Sequence, residues 1–365
     1  MKIFFLSPIG GRTGSEMMLQ YAIEAAKDTI QPIIFSRKKG IFFEKKFTKN
    51  NYFYPKKKGP FLQNIKEGIF FKLHKKTIEQ ALVERIHNRE KPVLWYLNTI
   101  TMTDHAATAI RLQVPYIVHV HELWSSIDEE QEVDFNTMMS NAKIIICCSE
   151  IVKKTINQMG YSQTELVHEC VDFKEIVLEK DRAANRAKFG FEETDFVWAM
   201  SGTVSMRKGF DLVPEILSKL PKNHHLIWLG GKRDTALLKY VNTRVKNEKL
   251  NFRFLGELSE DYYDSLNMAD GFCLLSREDP FPLVMMEAAF LEKPIIAFNS
   301  GGVSEFVQEE MGLVVDGLSI NEITDKMKMI ATGEIPISKA KLKVRANTFS
   351  IENISKIWQK VVLKN

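Results

Sequence analysis

Residues 271–302 read GFCLLSREDPFPLVMMEAAFLEKPIIAFNSGG, and this stretch contains a complete strand–helix–strand unit. Residues 271–275 and 294–298 are short apolar runs, which are typical of strands buried on both faces. The segment between them is expected to be helical from Pro282, because proline suits the first helical position, where its missing N–H is no loss. Two buried strands joined by a helix form a parallel crossover, so the stretch predicts an α/β fold.

The same pattern of short apolar runs separated by amphipathic segments extends along the whole chain. The runs lie at 2–6, 31–35, 93–97, 116–120, 143–148 and 165–167, and again at 196–200, 225–229, 252–255, 271–275, 294–298 and 312–315. Two such sets of strands predict two Rossmann-like domains, 1–172 and 173–348, that face each other across a ligand-binding cleft. Residues 349–365 are expected to form a C-terminal helix that packs back toward the N-terminal domain.

The composition is that of an ordinary soluble protein. The chain has 365 residues and a formal net charge of +4, which is too small by itself to indicate a nucleic-acid binder. Its four cysteines show no metal-binding spacing and are expected to be buried thiols in a reducing compartment. No stretch approaches the roughly 18 apolar residues of a membrane-spanning helix, so we expect a cytoplasmic protein.

The charge is concentrated in one segment, residues 37–76, which carries thirteen lysines and arginines against two glutamates. Nine aromatic residues are interleaved with these basic residues. Such a mixture suits peripheral contact with an anionic membrane surface. The alternative is a solvated surface whose aromatic side chains pack on the N-terminal domain.

Two carboxylates stand out in the opening stretch. Asp279 lies in the loop before the predicted helix and Glu287 lies on it, so they can contact two different parts of one extended ligand. The main-chain N–H groups of Phe281, Leu283 and Val284 are expected to face an anion, because the first N–H groups of a helix lack partners within it. An ordinary capped helix would explain Pro282 but not this accumulation of polar groups.

Residues 201–209, SGTVSMRKG, follow another predicted strand and begin the next helix. Gly202 allows close approach of a ligand to the backbone. Arg207 and Lys208 are adjacent cations at the positive end of the helix dipole, which is unfavourable unless an anion binds between them. The segment therefore favours phosphate binding over a merely solvated pair of charges.

The first half contributes a glycine loop around Gly14, after the first strand, and His121 at the end of the strand at 116–120. The loop is not the dinucleotide pattern G-x-G-x-x-G, which argues against a nicotinamide enzyme. A structural turn and a structural histidine are the alternatives for these two residues. Neither H-E-x-x-H nor D-x-D occurs in the chain, so no metal site is indicated.

Taken in order, these segments resemble the GT-B glycosyltransferases of family 4, which are retaining enzymes that use nucleotide-sugars. The family's Glu-x7-Glu pattern matches Asp279 and Glu287, and Lys208–Gly209 and Gly301–Gly302 match further motifs. Two departures are Thr203, where the family often has arginine, and the prolines Pro280 and Pro282 in a loop that more commonly contains glycine.

The resemblance implies a role for each candidate residue. Glu287 would bind the ribose, Asp279 with the 281–284 backbone would hold the donor sugar, and Arg207 and Lys208 would neutralise the diphosphate. Gly14 would lie by the phosphates, and His121 would contact the sugar near the reacting centre. Neither a metal nor a further cofactor is implied, because the cations take the place of a metal.

The resemblance further implies transfer of a sugar to a saccharide or lipid-linked acceptor in the synthesis of a surface polysaccharide or glycolipid. Retention would follow from front-side attack, with the leaving phosphate taking the acceptor's proton. Two alternatives stay open. One is a nucleotide-sugar epimerase or hydrolase of the same fold, and the other is a non-enzymatic membrane or nucleic-acid binding module that uses residues 37–76. With the transferase, no nucleic-acid partner is expected.

Overall fold

The chain folds into two compact units, each built on one parallel sheet. The computed structural model describes residues 1–55, 70–72 and 76–363. The N-terminal unit comprises Met1–His168 and the residues from Ile354 onward, and the C-terminal unit comprises Glu169–Asn353. The prediction of an α/β protein with two Rossmann-like sheets is confirmed.

The N-terminal unit has a seven-stranded parallel sheet in the order β3-β2-β1-β4-β5-β6-β7. Its strands are β1 Lys2–Ile9, β2 Gln31–Lys38, β3 Tyr52–Phe53, β4 Leu94–Asn98, β5 Tyr116–Val120, β6 Ile144–Cys147 and β7 Thr164–Leu166. The helices are α1 Gly14–Ala25, α2 Ile41–Lys46, α3 Ile78–Glu90, α4 Thr103–Arg111, α5 Trp124–Ile127, α6 Glu132–Asn141 and α7 Glu150–Gln158.

The C-terminal unit has a six-stranded parallel sheet in the order β10-β9-β8-β11-β12-β13. Its strands are β8 Phe196–Ser201, β9 His224–Leu229, β10 Phe252–Gly256, β11 Gly271–Leu274, β12 Ile295–Phe298 and β13 Gly312–Val315. The helices are α8 Arg182–Lys188, α9 Val213–Lys219, α10 Thr235–Glu248, α11 Tyr262–Asn267, α12 Leu283–Phe290, α13 Val303–Phe306, α14 Ile320–Ala331 and α15 Lys339–Thr348.

Each sheet changes direction of strand order at its centre, between β1 and β4 in one unit and between β8 and β11 in the other. The crevice beyond the carboxyl ends of such strands is where open α/β sheets bind ligands. The central strands are fully buried, with Phe4 and Trp95 in edge-to-face contact in the first core. Apolar strands buried on both faces therefore bring the polar loops that follow them to the candidate sites.

The last helix, α16 Ile351–Leu363, packs on the N-terminal unit as the sequence predicted. Trp358 is fully buried, and its indole N–H donates to the Tyr96 hydroxyl over 3.1 Å. The Gln359 amide donates to the carbonyl of Ala25 over 2.7 Å. The apolar face of this amphipathic helix thus packs on the N-terminal unit, although the helix follows the C-terminal unit in the chain.

Two further expectations from the sequence can be compared with the structure. The four cysteines are buried and unpaired with one another. Within the described ranges, no helix combines the length and the apolarity needed to cross a membrane.

Candidate functional site

Lys208 is held over the end of strand β8. Gly202, the first residue after β8, has a φ of +155°, and a Cβ built there would lie 3.4 Å from Lys208 Cδ. The aliphatic stem of Lys208 therefore crosses this glycine, and its ammonium donates to Asp279 Oδ2 over 2.5 Å. The structure thus brings three of the predicted residues together.

Asp279 is buried, with 5% of its surface exposed, and it joins two loops. Its Oδ2 also accepts from the Ser276 hydroxyl at 2.9 Å. Its backbone N–H donates to Ser300 O at 2.8 Å, and its carbonyl accepts from Gly302 N–H at 3.2 Å. Gly302 has no room for a side chain, because a Cβ there would lie 2.2 Å from the Pro280 carbonyl. The loops after β11 and β12 therefore fix the carboxylate that faces Lys208.

Arg207 lies on the surface, unlike its neighbour. Its guanidinium donates to the Glu278 carbonyl over 2.7 Å, and its own carbonyl accepts from Arg277 N–H at 2.7 Å. Arg277 in turn forms a two-pronged ion pair with Asp211, with both N–O distances at 2.7 Å. This bracing pair was not found from the sequence, and it ties the 201–209 segment to the carboxylate loop.

Glu287 is buried on α12, where two tyrosines hold its carboxylate. The Tyr262 hydroxyl donates to Oε2 at 3.0 Å, and the Tyr263 hydroxyl donates to Oε1 at 3.2 Å. The Tyr262 hydroxyl also lies 2.9 Å from Ser201 Oγ. Burial and the Glu287 charge raise the pKa of Tyr262 well above its usual range, so this phenol stays protonated as a donor. The sequence reading missed both tyrosines.

The start of α12 differs in detail from the expectation. Pro282 lies immediately before the helix, in extended backbone, rather than at its first residue. Among the described residues, the N–H groups of Leu283 and Val284 have no acceptor, as is usual in a first turn. Phe281 is buried, and its ring packs on Phe349 at 5.2 Å. The aromatic anchor fixes the loop, while the two N–H groups remain available to an anion.

In the N-terminal unit, His121 follows β5 and contacts buried Asn98 at the end of β4. Its Nε2 lies 3.1 Å from Asn98 Oδ1, while the Asn98 amide nitrogen donates to the Ser15 carbonyl at 3.1 Å. Because Asn98 Oδ1 can only accept, His121 carries a proton on Nε2. The first turn of α1 thereby fixes Asn98, which orients the histidine.

His119 is fully buried beneath His121, and their ring centroids are 3.8 Å apart. Its Nδ1 lies 2.6 Å from the Tyr96 hydroxyl, which accepts from Trp358 and so donates its own proton to His119. Burial and the nearby His121 lower the pKa of His119 well below its usual value. His119 is therefore a neutral support for His121, connected to α16 through Tyr96.

Gly14 is the first residue of α1, but a carboxylate already occupies this helix start. Glu16 is almost fully buried and accepts hydrogen bonds from Ser7 at 2.8 Å, from Ser15 at 3.0 Å and from Thr13. An acidic side chain in the first turn offsets the positive end of the helix dipole. The sequence reading missed Glu16, although its spacing from Thr13 is that of a capping box.

Glu122 is the residue after His121, beyond the carboxyl end of β5. Its Oε2 accepts from the His121 backbone N–H at 2.8 Å. Desolvation raises the pKa of Glu122 to about 7, and the nearby Glu16 carboxylate adds to the shift. The charge beside His121 therefore changes near neutral pH.

One cluster of metal-ligand type lies wholly within the N-terminal unit: Glu79, Asp104 and His105. Arg37 already supplies a cation there, since its guanidinium bonds Asp104 and lies 3.4 Å from Glu79 Oε1. His105 Nε2 lies 3.0 Å from the same Glu79 oxygen. We interpret the cluster as a structural ion pair.

The basic segment is described only in part: Lys56, Lys57, Lys58, Phe61, Lys66, Glu67 and Lys75 lie outside the described residues. Within the described part, Phe43 and Tyr52 are buried and pack edge-to-face at 5.6 Å. Ile41, in contrast, is 72% exposed, and Phe71 is 51% exposed. Phe43 and Tyr52 therefore pack within the N-terminal unit, as the alternative to membrane contact expected, whereas Ile41 and Phe71 are exposed.

The sequence of the C-terminal unit matches a known family. Residues 181–348 match the family model described as "Glycosyl transferases group 1". The chain is 26% identical over 269 residues to a GDP-mannose-dependent monoacylated alpha-(1-6)-phosphatidylinositol monomannoside mannosyltransferase of Corynebacterium glutamicum, covering 68% of this chain and 69% of that protein. A D-inositol 3-phosphate glycosyltransferase of Mycobacterium sp. (strain KMS) is 25% identical over 231 residues, covering 61% of this chain but only 50% of that relative.

The C-terminal unit of this chain is that of a group 1 glycosyltransferase, and the chain has the GT-B fold. Solved structures support the fold of the glycosyltransferase along its whole length. Anabaena HepE in complex with UDP and glucose superposes with a TM-score of 0.84 at 19% identity, covering 100% of both chains. Sucrose-phosphate synthase from Thermosynechococcus elongatus superposes with a TM-score of 0.78 at 18% identity, again with 100% of both chains covered.

Proposed function

We propose that this glycosyltransferase is a retaining enzyme that moves a sugar from a nucleotide-sugar donor to a saccharide or lipid-linked acceptor. One observation carries the proposal: two consecutive residues at the end of β8 contact the two halves of the site. Ser201 lies against the tyrosine that holds Glu287, and Gly202 lies under the lysine that pairs with Asp279. A nucleoside diphosphate also has two directly linked parts, the nucleoside and the diphosphate, so one molecule could contact both halves of the site.

Each half suits one part of the donor. The Glu287 carboxylate can accept two neighbouring ribose hydroxyls, and the tyrosines keep it in place. The Lys208 ammonium provides positive charge where the diphosphate gains negative charge as the glycosidic bond breaks. Arg207, at the surface of the same loop, is a second candidate for this role.

Retention is proposed to proceed by front-side attack. The bond from the sugar C1 to the diphosphate oxygen breaks, the acceptor oxygen bonds C1 on the same face, and the acceptor's proton passes to the leaving phosphate. Asp279 is already engaged by Lys208 and Ser276, which suits a stabilising role better than that of a nucleophile. With a lysine supplying the positive charge, we propose that transfer needs no metal, so activity should survive chelation by EDTA.

The test is a binding and product assay on the whole chain. Thermal-shift measurements with UDP, GDP and their sugars should show at least one nucleotide that raises the melting temperature. NMR of the product should then show the donor's anomeric configuration retained. Stabilisation by none of the nucleotides would contradict the donor assignment, and an inverted product would contradict retention.

We further propose peripheral binding at an anionic membrane surface, on its cytoplasmic side, where a lipid-linked acceptor would be found. Ile41 is exposed on α2, and Lys45, Lys46 and Lys49, which follow it in the chain, are exposed as well. An apolar side chain flanked by lysines suits such a surface, where each lysine contributes about 1 kcal/mol.

Co-sedimentation tests this second proposal. Vesicles containing phosphatidylserine should bind the protein at low salt and release it at high salt, while phosphatidylcholine vesicles should not bind it. Ile41→Ser should weaken the binding, whereas Val133→Ser, at another exposed apolar residue, should not. Equal binding to both vesicle types would contradict the proposal.

A further inference from the structure

A cavity lies in the C-terminal unit, at the edge of the sheet opposite the candidate donor site. Its volume is about 580 Å³, and it is lined by the amino-terminal ends of two strands, at Phe196 before β8 and at Pro294 before β12. The donor-site residues follow the carboxyl ends of β8, β11 and β12. The cavity is therefore separate from the site described above.

Lys293 lies in this cavity and is 7% exposed. Its ammonium donates to the carbonyl of Asn267 at the end of α11 over 2.9 Å. In the described part of the chain, no carboxylate lies within 4.0 Å of this nitrogen. A buried ammonium with one neutral acceptor is costly, because a charge taken out of water needs a counterion.

The nearest carboxylates are already engaged by other cations. Asp270 accepts from Arg182 at 2.5 Å and from Arg186 at 2.9 Å. Glu292 pairs with Lys343 at 3.9 Å. The lining residues also include Lys339, at the start of α15. The charged groups that face Lys293 therefore leave a surplus of positive charge around the cavity.

Burial lowers the pKa of Lys293 to about 7, and Arg182 and Lys339 act in the same direction. Asp270 and Glu292 oppose the shift without cancelling it. Lys293 is therefore partly neutral at physiological pH, and an anion beside it would favour its protonated form.

The remainder of the lining is largely apolar. Its larger apolar side chains are those of Phe196, Leu291, Pro294, Ile330, Ile335 and Ile337. A cavity lined by a buried lysine and by several apolar side chains suits a ligand with an acidic head and a short hydrocarbon chain. We propose that this cavity binds a small amphiphilic anion, a carboxylate or a phosphate monoester, whose head group pairs with Lys293.

Calorimetric titration of the whole chain with hexanoate and hexyl phosphate, with hexanol as the neutral control, tests the proposal. Both anions should bind and hexanol should not, and the stronger of the two identifies the preferred head group. Binding should take up a fraction of a proton per site at pH 7.5, measured as a difference in heat between buffers of unlike ionisation enthalpy. Affinity should fall roughly tenfold between pH 7 and pH 8.5, because free Lys293 loses its proton over that range.

Two variants distinguish anion binding in the cavity from anion binding at the protein surface. Lys293→Met, which keeps an unbranched side chain of nearly the same length, should lose anion binding at least tenfold. Lys341→Met, at an exposed lysine on the same helix as Lys339, should bind as the wild type does. Equal binding by Lys293→Met and wild type, or no binding of either anion to the wild type, would overturn the proposal. Should Lys293→Met fail to fold, binding to the wild type without proton uptake would overturn it equally.

Discussion

The two units share one architecture, but they satisfy the polar groups at their strand ends in different ways. In the C-terminal unit, the Asp279 carboxylate meets the Lys208 ammonium at 2.5 Å. In the N-terminal unit, His121 meets the amide of Asn98, and Glu16 meets three hydroxyls. At these residues, the C-terminal unit contains a carboxylate–ammonium pair, whereas the N-terminal unit pairs its carboxylate and its imidazole with neutral groups.

This difference suggests how the proposed reaction is divided. A diphosphate leaving group gains charge, and a site that contains an ammonium can stabilise it. Sugar hydroxyls carry no charge, and imidazole and amide groups suit them. We therefore propose that charge stabilisation depends mainly on the C-terminal unit and that the N-terminal unit adds contacts to sugar hydroxyls, and the predictions below test parts of this proposal.

The largest effect is expected for Lys208→Ala. The change removes the proposed positive charge and leaves Asp279 buried without its ammonium, so the transfer rate should fall roughly a thousandfold. Initial rates of nucleotide release with the preferred donor would measure it. Lys222→Ala, at an exposed lysine before β9, is the control. A rate within threefold of wild type would show that Lys208 is not the main source of positive charge.

The next effect concerns the backbone that supports the charged edge. A Cβ on Gly230 would lie 2.1 Å from the Gly202 carbonyl, and Gly230 has a φ of +143°. We expect Gly230→Ala to destabilise the fold by roughly 2–4 kcal/mol and to abolish nucleotide binding. Its neighbour offers a matched control, because a Cβ on Gly231 meets only Glu257 Oε2, at 3.5 Å.

Denaturant unfolding of both glycine variants provides the measurement. Gly231→Ala should unfold close to the wild-type midpoint and keep its nucleotide response. If the two variants behave alike, the close contact between the ends of β8 and β9 does not position the site.

A smaller effect is expected for Glu287→Gln. The amide keeps the shape of the side chain but loses the charge that accepts ribose hydroxyls, so nucleotide affinity should fall about tenfold. Tyr262→Phe removes one of its supports and should cost less. Calorimetry with the preferred nucleotide measures both, with Glu248→Gln on exposed α10 as the control. Unchanged affinity in Glu287→Gln would rule out the ribose assignment.

The smallest effect lies in the N-terminal unit and depends on pH. The pKa of Glu122 is raised to about 7, against about 4.3 in an unfolded chain. A raised carboxyl pKa means that the folded state binds the proton more tightly, so stability is lost as pH rises from about 4.3 to about 7. Glu122→Gln removes this loss and should be more stable than wild type by roughly 1–2 kcal/mol at pH 8.

Melting curves of wild type and Glu122→Gln between pH 4 and pH 8 provide the check. The two should converge at the acid end and separate toward pH 8. A constant difference across the range would mean that Glu122 has an ordinary pKa.

The sequence predicted what depends on local pattern. Strand β11, helix α12 and strand β12 follow from apolar runs and from the proline before the helix, although Pro282 precedes the helix instead of beginning it. Asp279 and Lys208 could be proposed as parts of one site because both follow strand ends, and parallel strands end at one edge of a sheet.

The sequence could not predict the hydrogen-bond partners that tertiary packing brings together. Tyr262 and Tyr263 hold Glu287 although they lie on α11, 25 and 24 residues away in the chain. Glu16 is enclosed by hydroxyls from both β1 and the loop before α1. The tyrosine contacts have no periodicity or spacing that distinguishes them from solvated side chains, whereas Glu16 has the capping-box spacing from Thr13 but no sequence signal for its contact with Ser7.

The central claim is that the charged edge of the C-terminal unit binds a nucleoside diphosphate between Lys208 and Glu287. The most direct test is calorimetric titration of wild type and Glu287→Ala with the preferred nucleoside diphosphate and its 2′,3′-dideoxy analogue. We predict that the wild type prefers the natural nucleotide at least tenfold and that Glu287→Ala binds the two alike. A preference of the same size in both proteins, or none in the wild type, would contradict the claim.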